Sequence, residues 1–378
     1  MLPEERILAV FEGRLPDIMP WFADLTYWYH AQVIKGTLPE KYKGDKGRLR
    51  LYKELGCGAH EELYGPVVTI KYKEIKVRTY TEKLPDGELR KTVYDTPLGT
   101  LKKIAKYSSK SYSTATIKYP IETVRDLKVL KVIYEDMDIK PNYKAYERQI
   151  ELMELWRGWG IVSSLPPRTP FIRLIIEWAG VITTFKLYWR FREELDEIIQ
   201  LMKEKDDIIY EAIREAPARF VYFGENLSSD IISPKIFREY FFDYYRKRAQ
   251  ELHSAKKLIY VHIDGRLRGL LSLIAATGVD CAQSLTPHPV GDLPLESFRK
   301  EAGPDIILWG GLPGVYFSKV YDESSLLKTL HKLIESYRSD GKFIVGVADQ
   351  VPPDGDINRV KKVSEVIEEY GKLCGTNC

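Results

Sequence analysis

From about residue 121 the chain alternates short apolar runs with longer amphipathic ones, and that alternation restricts it to parallel βαβ units. The apolar runs at 159–163, 219–224, 258–263, 279–284, 306–309 and 343–347 read as buried strands. Helices are predicted over 122–136, 143–156, 191–216, 233–254, 267–277, 295–302, 323–339 and 357–372. An opening strand in 17–24 (DIMPWFAD) and another within 63–70 bring the strands to eight. Eight is the number that closes a (β/α)8 TIM barrel inside a ring of helices. An open doubly wound sheet is the alternative. No GxGxxG or GxxxxGK fingerprint follows a strand, so a nucleotide site has no support.

The first third is less regular. Residues 51–60 read as a helix ending at Gly56 and Gly58. Over 67–94, β-branched and aromatic residues alternate with charges around the turn signal Leu84-Pro85-Asp86-Gly87, and Thr96-Pro97-Leu98-Gly99-Thr100 closes the stretch. We expect one domain over 1–378, a barrel with an N-terminal extension and an inserted antiparallel β-hairpin at 66–98. The 44% hydrophobic content is enough for a large core, and a net charge of +3 gives no reason to expect a nucleic-acid partner. Four cysteines (Cys57, Cys281, Cys374, Cys378) form no CxxC pair, which fits a reducing compartment better than a disulfide scaffold. Cys374 and Cys378 read as frayed or surface residues of the tail. The start MLPEER lacks the pattern of a signal peptide, and the apolar stretch 171–187 is broken by Arg173, Glu177 and Lys186. The expectation is a cytoplasmic protein without a membrane span; a homodimer is left open.

In a barrel, residues at the carboxyl ends of the strands face the active site. Those ends read Gly224-Glu225-Asn226, His262-Ile263-Asp264-Gly265, Cys281-Ala282-Gln283-Ser284, Trp309-Gly310-Gly311 and Ala348-Asp349-Gln350. His262 and Asp264 lie two apart, on one side of a strand. An imidazole and a carboxylate so placed either bind a divalent metal or form a general base with its orienting partner. The bland reading is a structural histidine followed by a helix-capping aspartate. Glu225 is a metal ligand, a base, a substrate clamp or a rim salt bridge, and Asp349 either shares the pocket or stabilises a turn before Pro352-Pro353. Cys281 reads as a small buried hydrophobe. His30, His60, His253 and His331 have no partner spacing and read as surface or structural. The aromatics around Trp21, Tyr27, Trp28 and Tyr29 suit core packing or the wall of a flat apolar pocket.

In residues 220–370 these features occur in order: Gly224-Glu225-Asn226, Ser-Pro-x-x-Phe-Arg-Glu-Tyr from Ser233 to Tyr240, His262-Ile263-Asp264-Gly265, Gly278-Val279-Asp280, Leu308-Trp309-Gly310-Gly311, and the segment 347–353. The set resembles the uroporphyrinogen decarboxylase superfamily, and residues 13–28 match it more loosely. The resemblance implies a (β/α)8 barrel with either cofactor-free decarboxylation or methyl transfer involving a corrinoid protein. The decarboxylases carry Arg-Gln-Ala-Gly-Arg-Tyr after the first strand; here Trp21-Phe22-Ala23-Asp24-Leu25-Thr26-Tyr27 has no arginine. The coenzyme M-type methyltransferases hold zinc with His-x-Cys and a later Cys, where this chain has His262, Asp264 and Asp349. The resemblance thus implies a demethylating methyltransferase passing methyl from a methoxylated or otherwise methylated small molecule to the corrinoid of a partner protein. The implied metal ligands, with zinc as the metal, are His262, Asp264 and Asp349. His262, Asp264 and Glu225 are the implied catalytic groups, and Asn226, Gln283, Trp309 and Trp21 the substrate-binding ones. A metal-free decarboxylase or lyase with another substrate is the alternative.

Overall fold

The computed structural model describes residues 1–60 and 64–373, and Cys374 and Cys378 lie outside them. The chain forms two compact units, one of residues 1–66, 144–165 and 216–378, the other of 67–143 and 166–215.

The first unit holds an eight-stranded sheet: β1 (Trp21–Phe22), β2 (Tyr64–Gly65), β3 (Ser163–Ser164), β4 (Phe220–Leu227), β5 (Leu258–Ile263), β6 (Cys281–Leu285), β7 (Ile307–Pro313) and β8 (Phe343–Ala348). Each adjacent pair is parallel, from β2–β3 through β7–β8 and back to β8–β1. The ring closes through the residues ahead of β2, where Gly58 bridges Phe22 and Ala59 bridges Gly160. This is the expected barrel, with one register correction. The helix predicted over 51–60 is Gly44–Leu55; Gly56 ends it in the left-handed region at φ +74°, and Cys57 onward already runs along the barrel. The second strand therefore starts ahead of 63–70, and Leu63 lies outside the described residues.

Strand alternation sends every second side chain inward. Phe22, Ile161, Phe220, Tyr222, Tyr260, Cys281, Ile307, Trp309 and Ile344 meet inside the barrel, with Ile7 and Val10 of the first helix (Pro3–Phe11) in the same cluster. Cys281 is buried there, and burial pushes its thiol well above the ordinary range, as expected of a small apolar filler. Two glycines make room for the large rings. A Cβ on Gly346 would sit 2.7 Å from the Trp309 indole, and one on Gly58 would sit 2.5 Å from the Phe22 ring.

The second unit pairs Val68–Tyr72 with Met137–Pro141, antiparallel. It also holds a four-stranded meander, Lys76–Leu84, Gly87–Thr96, Gly99–Ser108 and Ser113–Lys118. The turn at Leu84-Pro85-Asp86-Gly87 is as predicted, but the hairpin expected at 66–98 is larger than foreseen. The Thr96–Gly99 turn continues the sheet rather than closing it, and 68–72 pairs with a distant strand. The helices Asp126–Glu135, Gly180–Arg190 and Arg192–Glu215 complete this unit, with Arg173 and Asp206 forming a buried ion pair at 2.6 Å. Among the described residues no helix is long and apolar enough to cross a membrane.

The close approaches generate a prediction. Gly346→Ala should destabilise the protein by about 1–3 kcal/mol through overpacking against Trp309. Gly65→Ala, whose Cβ would meet nothing within 4 Å, should change stability by less than about 0.5 kcal/mol. Denaturant unfolding of the two variants checks this, and equal losses would contradict the account of the interior.

Candidate active site

The site is built around β5. His262 follows Tyr260 by two residues and faces inward with it, buried, at the carboxyl end of the strand. In the ladder it stands opposite Gln283 of β6. Its Nδ1 lies 2.6 Å from Gln283 Oε1. Its Nε2 lies 3.4 Å from Asp349 Oδ1, on the loop that follows β8. Asp349 is about half exposed, with 49% of its side chain accessible, so the pair joins a buried ring to the solvent side of the barrel mouth. The edge of the Tyr222 ring packs against the imidazole with centroids 5.9 Å apart.

Asp264 stands at the rim, open to solvent on one side. Crowding by protein raises its pKa, and the Asp349 charge adds to this, while His262 and a hydrogen bond from Asn226 oppose it. Asn226 reaches this position because β4 loses its register with β5 between Phe223 and Leu227, and Asn226 itself adopts φ +54°. Glu225 is buried in the same bulge, but the residue hydrogen-bonded to Asp264 is its neighbour Asn226.

Two groups, one at the mouth and one inside the barrel, are not singled out by the sequence. Asp24, just after β1, is buried. It accepts hydrogen bonds from the Thr26 backbone at 2.8 Å, the Thr26 hydroxyl and Gln350 Nε2 at 3.0 Å. Burial nevertheless pushes its carboxyl up to about 6, and the Asp349 charge contributes in the same direction. The second group is His60, read from sequence as surface or structural. It lies inside the barrel, its ring 4.4 Å from that of Trp309 and 6.1 Å from that of Tyr260. Burial first, and the charge of His262 second, hold its pKa well below the ordinary range. The signal for Asp24 was its place after the first apolar run. His60 carries none, because the sequence around it reads as the end of a helix.

Three expected roles are corrected. Trp21 does not line the site: strand alternation turns Phe22 inward and Trp21 outward, where its indole donates to Ser364 Oγ at 3.0 Å. Trp309 is core, 1% exposed and packed on His60, Phe22 and Tyr260, so it lies within the packed interior and does not wall an open pocket. Gln283 is also buried, and its partner is His262.

His262 Nε2 and Asp349 Oδ1 converge. Among the described residues, however, no three His, Cys, Asp or Glu side chains group as metal ligands. Asp264 feels the charges of the other two without joining them as a third donor. The residues therefore do not fit a zinc ion held by three protein ligands.

A closed parallel barrel with an imidazole and carboxyl groups at the carboxyl ends of its strands is the architecture of a barrel enzyme. The chain belongs to the uroporphyrinogen decarboxylase (URO-D) family, whose model matches residues 108–370. Among solved structures, a methyltransferase from Methanosarcina mazei superposes with a TM-score of 0.62 at 13% identity, covering 98% of this chain and 99% of that one. At that identity the likeness is one of fold. No curated protein matches the chain.

The buried acid gives a pH prediction. Asp24 titrates near 6 when folded and near its ordinary 3.8 when unfolded, so between these values the folded protein keeps a proton that the unfolded chain has lost. This contribution to stability is present at low pH and disappears as pH rises through about 6. Asp24→Asn, which cannot ionise, should lack that slope. Its stability relative to wild type should rise by up to about 3 kcal/mol from pH 4 to 7. Urea unfolding across that range checks it, and parallel profiles for the two proteins would contradict it.

Proposed function

We propose that the protein transfers a methyl group from a methylated small molecule, a methoxylated aromatic being the leading class, to the Co(I) corrinoid of a partner protein. The observation that carries this reading is the His262 arrangement: a ring fixed by Gln283 on one side and facing Asp349 and the barrel mouth on the other. Family membership and the methyltransferase fold neighbour support it. So does the absence of arginine after β1, where a substrate with many carboxylates would need cations.

The corrinoid is a co-substrate here and supplies the nucleophile. What remains for this chain is to orient the methyl donor and stabilise the departing oxygen. When the methyl–oxygen bond breaks, the electron pair stays on oxygen. A proton from His262 Nε2 neutralises it, leaving a neutral imidazole that keeps its bond to Gln283. Asp349 stabilises the protonated ring beforehand and lies on the solvent side, where the proton is replaced. Asp264, which accepts a hydrogen bond from Asn226, stands beside this pair at the rim. The Tyr222 ring backs the imidazole from within the packed interior. No step runs through zinc. A reducing cytoplasmic setting, in which Co(I) persists, belongs to the same proposal.

Metal-free decarboxylation is the second reading, favoured by the family description and by the buried acid Asp24. One experiment separates the two. The protein is mixed with reduced corrinoid protein and a panel of methyl donors. The methyl–cobalt absorption band should appear with at least one of them, and His262→Ala should slow its appearance by about 100-fold or more. Silence across the panel with active corrinoid, or carbon dioxide release from a carboxylated substrate, would overturn the proposal.

A further inference from the structure

We infer that Gln283 is a positioning residue: it keeps a proton on His262 Nδ1, which is the Nδ1–H tautomer whenever the ring is neutral, so that Nε2 faces Asp349 and the barrel mouth as the nitrogen that gains and loses a proton. The inference deepens the proposed function and rests on its reading of His262 as the proton-handling group. The tautomer itself, however, is a property of the resting protein.

The argument starts in the ladder. His262 and Gln283 are register partners on adjacent parallel strands, and both side chains point inward from the last regular positions of those strands. Gln283 is also in register with Trp309 on its other side, so its backbone is fixed from both flanks. Directly after it the register with β7 shifts, and Ser284 takes φ +70°. The regular ladder thus ends at the residue that grips His262.

The contact is short and dry. Gln283 Oε1 lies 2.6 Å from His262 Nδ1, and Gln283 is 1% exposed, so water does not compete for the bond. A carboxamide oxygen only accepts, and Nδ1 must therefore donate. In the neutral ring this leaves the lone pair on Nε2, the nitrogen 3.4 Å from Asp349 Oδ1. A neutral amide also differs from a carboxylate in the same place. It orients the ring without adding a buried negative charge, and leaves the charge interaction to the half-exposed Asp349.

The test is long-range proton–nitrogen NMR of full-length protein labelled with 15N-histidine, at neutral pH. Wild type should show His262 protonated at Nδ1. Gln283→Glu, which retains an acceptor oxygen, should keep that state. Gln283→Leu should lose it, giving the Nε2-protonated or a mixed form. In the methyl-transfer assay Gln283→Leu should lower kcat at least about 10-fold with KM little changed, and Gln283→Glu should restore most of the loss. A wild-type ring bare at Nδ1 would overturn the inference, as would Nδ1 protonation persisting unchanged in Gln283→Leu. The wild-type spectrum decides the matter even if the leucine variant fails to fold. Absence of methyl transfer alongside the expected tautomer would count against the proposed function and leave the role of Gln283 standing.

Discussion

The register between β5 and β6 is the constraint on which the mouth of this barrel depends. It sets His262 against Gln283, and every other group at the site is placed relative to that ring. A slip of one residue would turn His262 outward and bring Ile263 into the barrel. Both strands are buried and pair on both sides, so the energetic cost of such a slip falls on the whole interior. The chemistry thus inherits its precision from the hydrophobic packing below it.

That packing is unusually aromatic. Phe22, Tyr222, Tyr260 and Trp309 meet stacked, edge-on or tilted inside the barrel, and the neutral His60 ring is packed among them. Large rings fit because Gly58 and Gly346 carry no Cβ at the points of closest approach. The result is a dry base beneath His262. Above it, bulges in β4 and β6 flank β5 and aim Asn226 and Ser284 away from the regular ladder. The site therefore sits where regular pairing gives out on both neighbours of its central strand. Asp349 connects it to the rim, where its charge bears on both Asp24 and Asp264.

Much of the barrel was legible in the sequence because parallel strands buried on both faces read as continuous apolar runs, and those at 219–224, 258–263 and 343–347 lie where strands form. The second strand was not legible. Cys57 to His60 follows a helix with only Gly56 between them, and a short segment with alternating small residues has no period of its own. That miss also hid His60. The convergence of His262 with Asp349 was readable from strand ends. The inward or outward sense of a two-residue strand is not, and so the sequence does not tell that Phe22, and not Trp21, faces the interior. Trp309 shows a different limit: a residue near a strand end is still core when the strand runs on to Pro313. The two-stranded pairing of Val68–Tyr72 with Met137–Pro141 was not legible either, being a long-range contact with no local signature.

The central claim is that His262 and Asp349 act as one unit at the mouth of the barrel. A double-mutant cycle in single-turnover methyl transfer tests it most directly, using His262→Ala, Asp349→Ala and the pair together. The account predicts strong non-additivity, with the double variant about as slow as His262→Ala alone. Losses that simply multiply, or an Asp349→Ala variant at full rate, would contradict it.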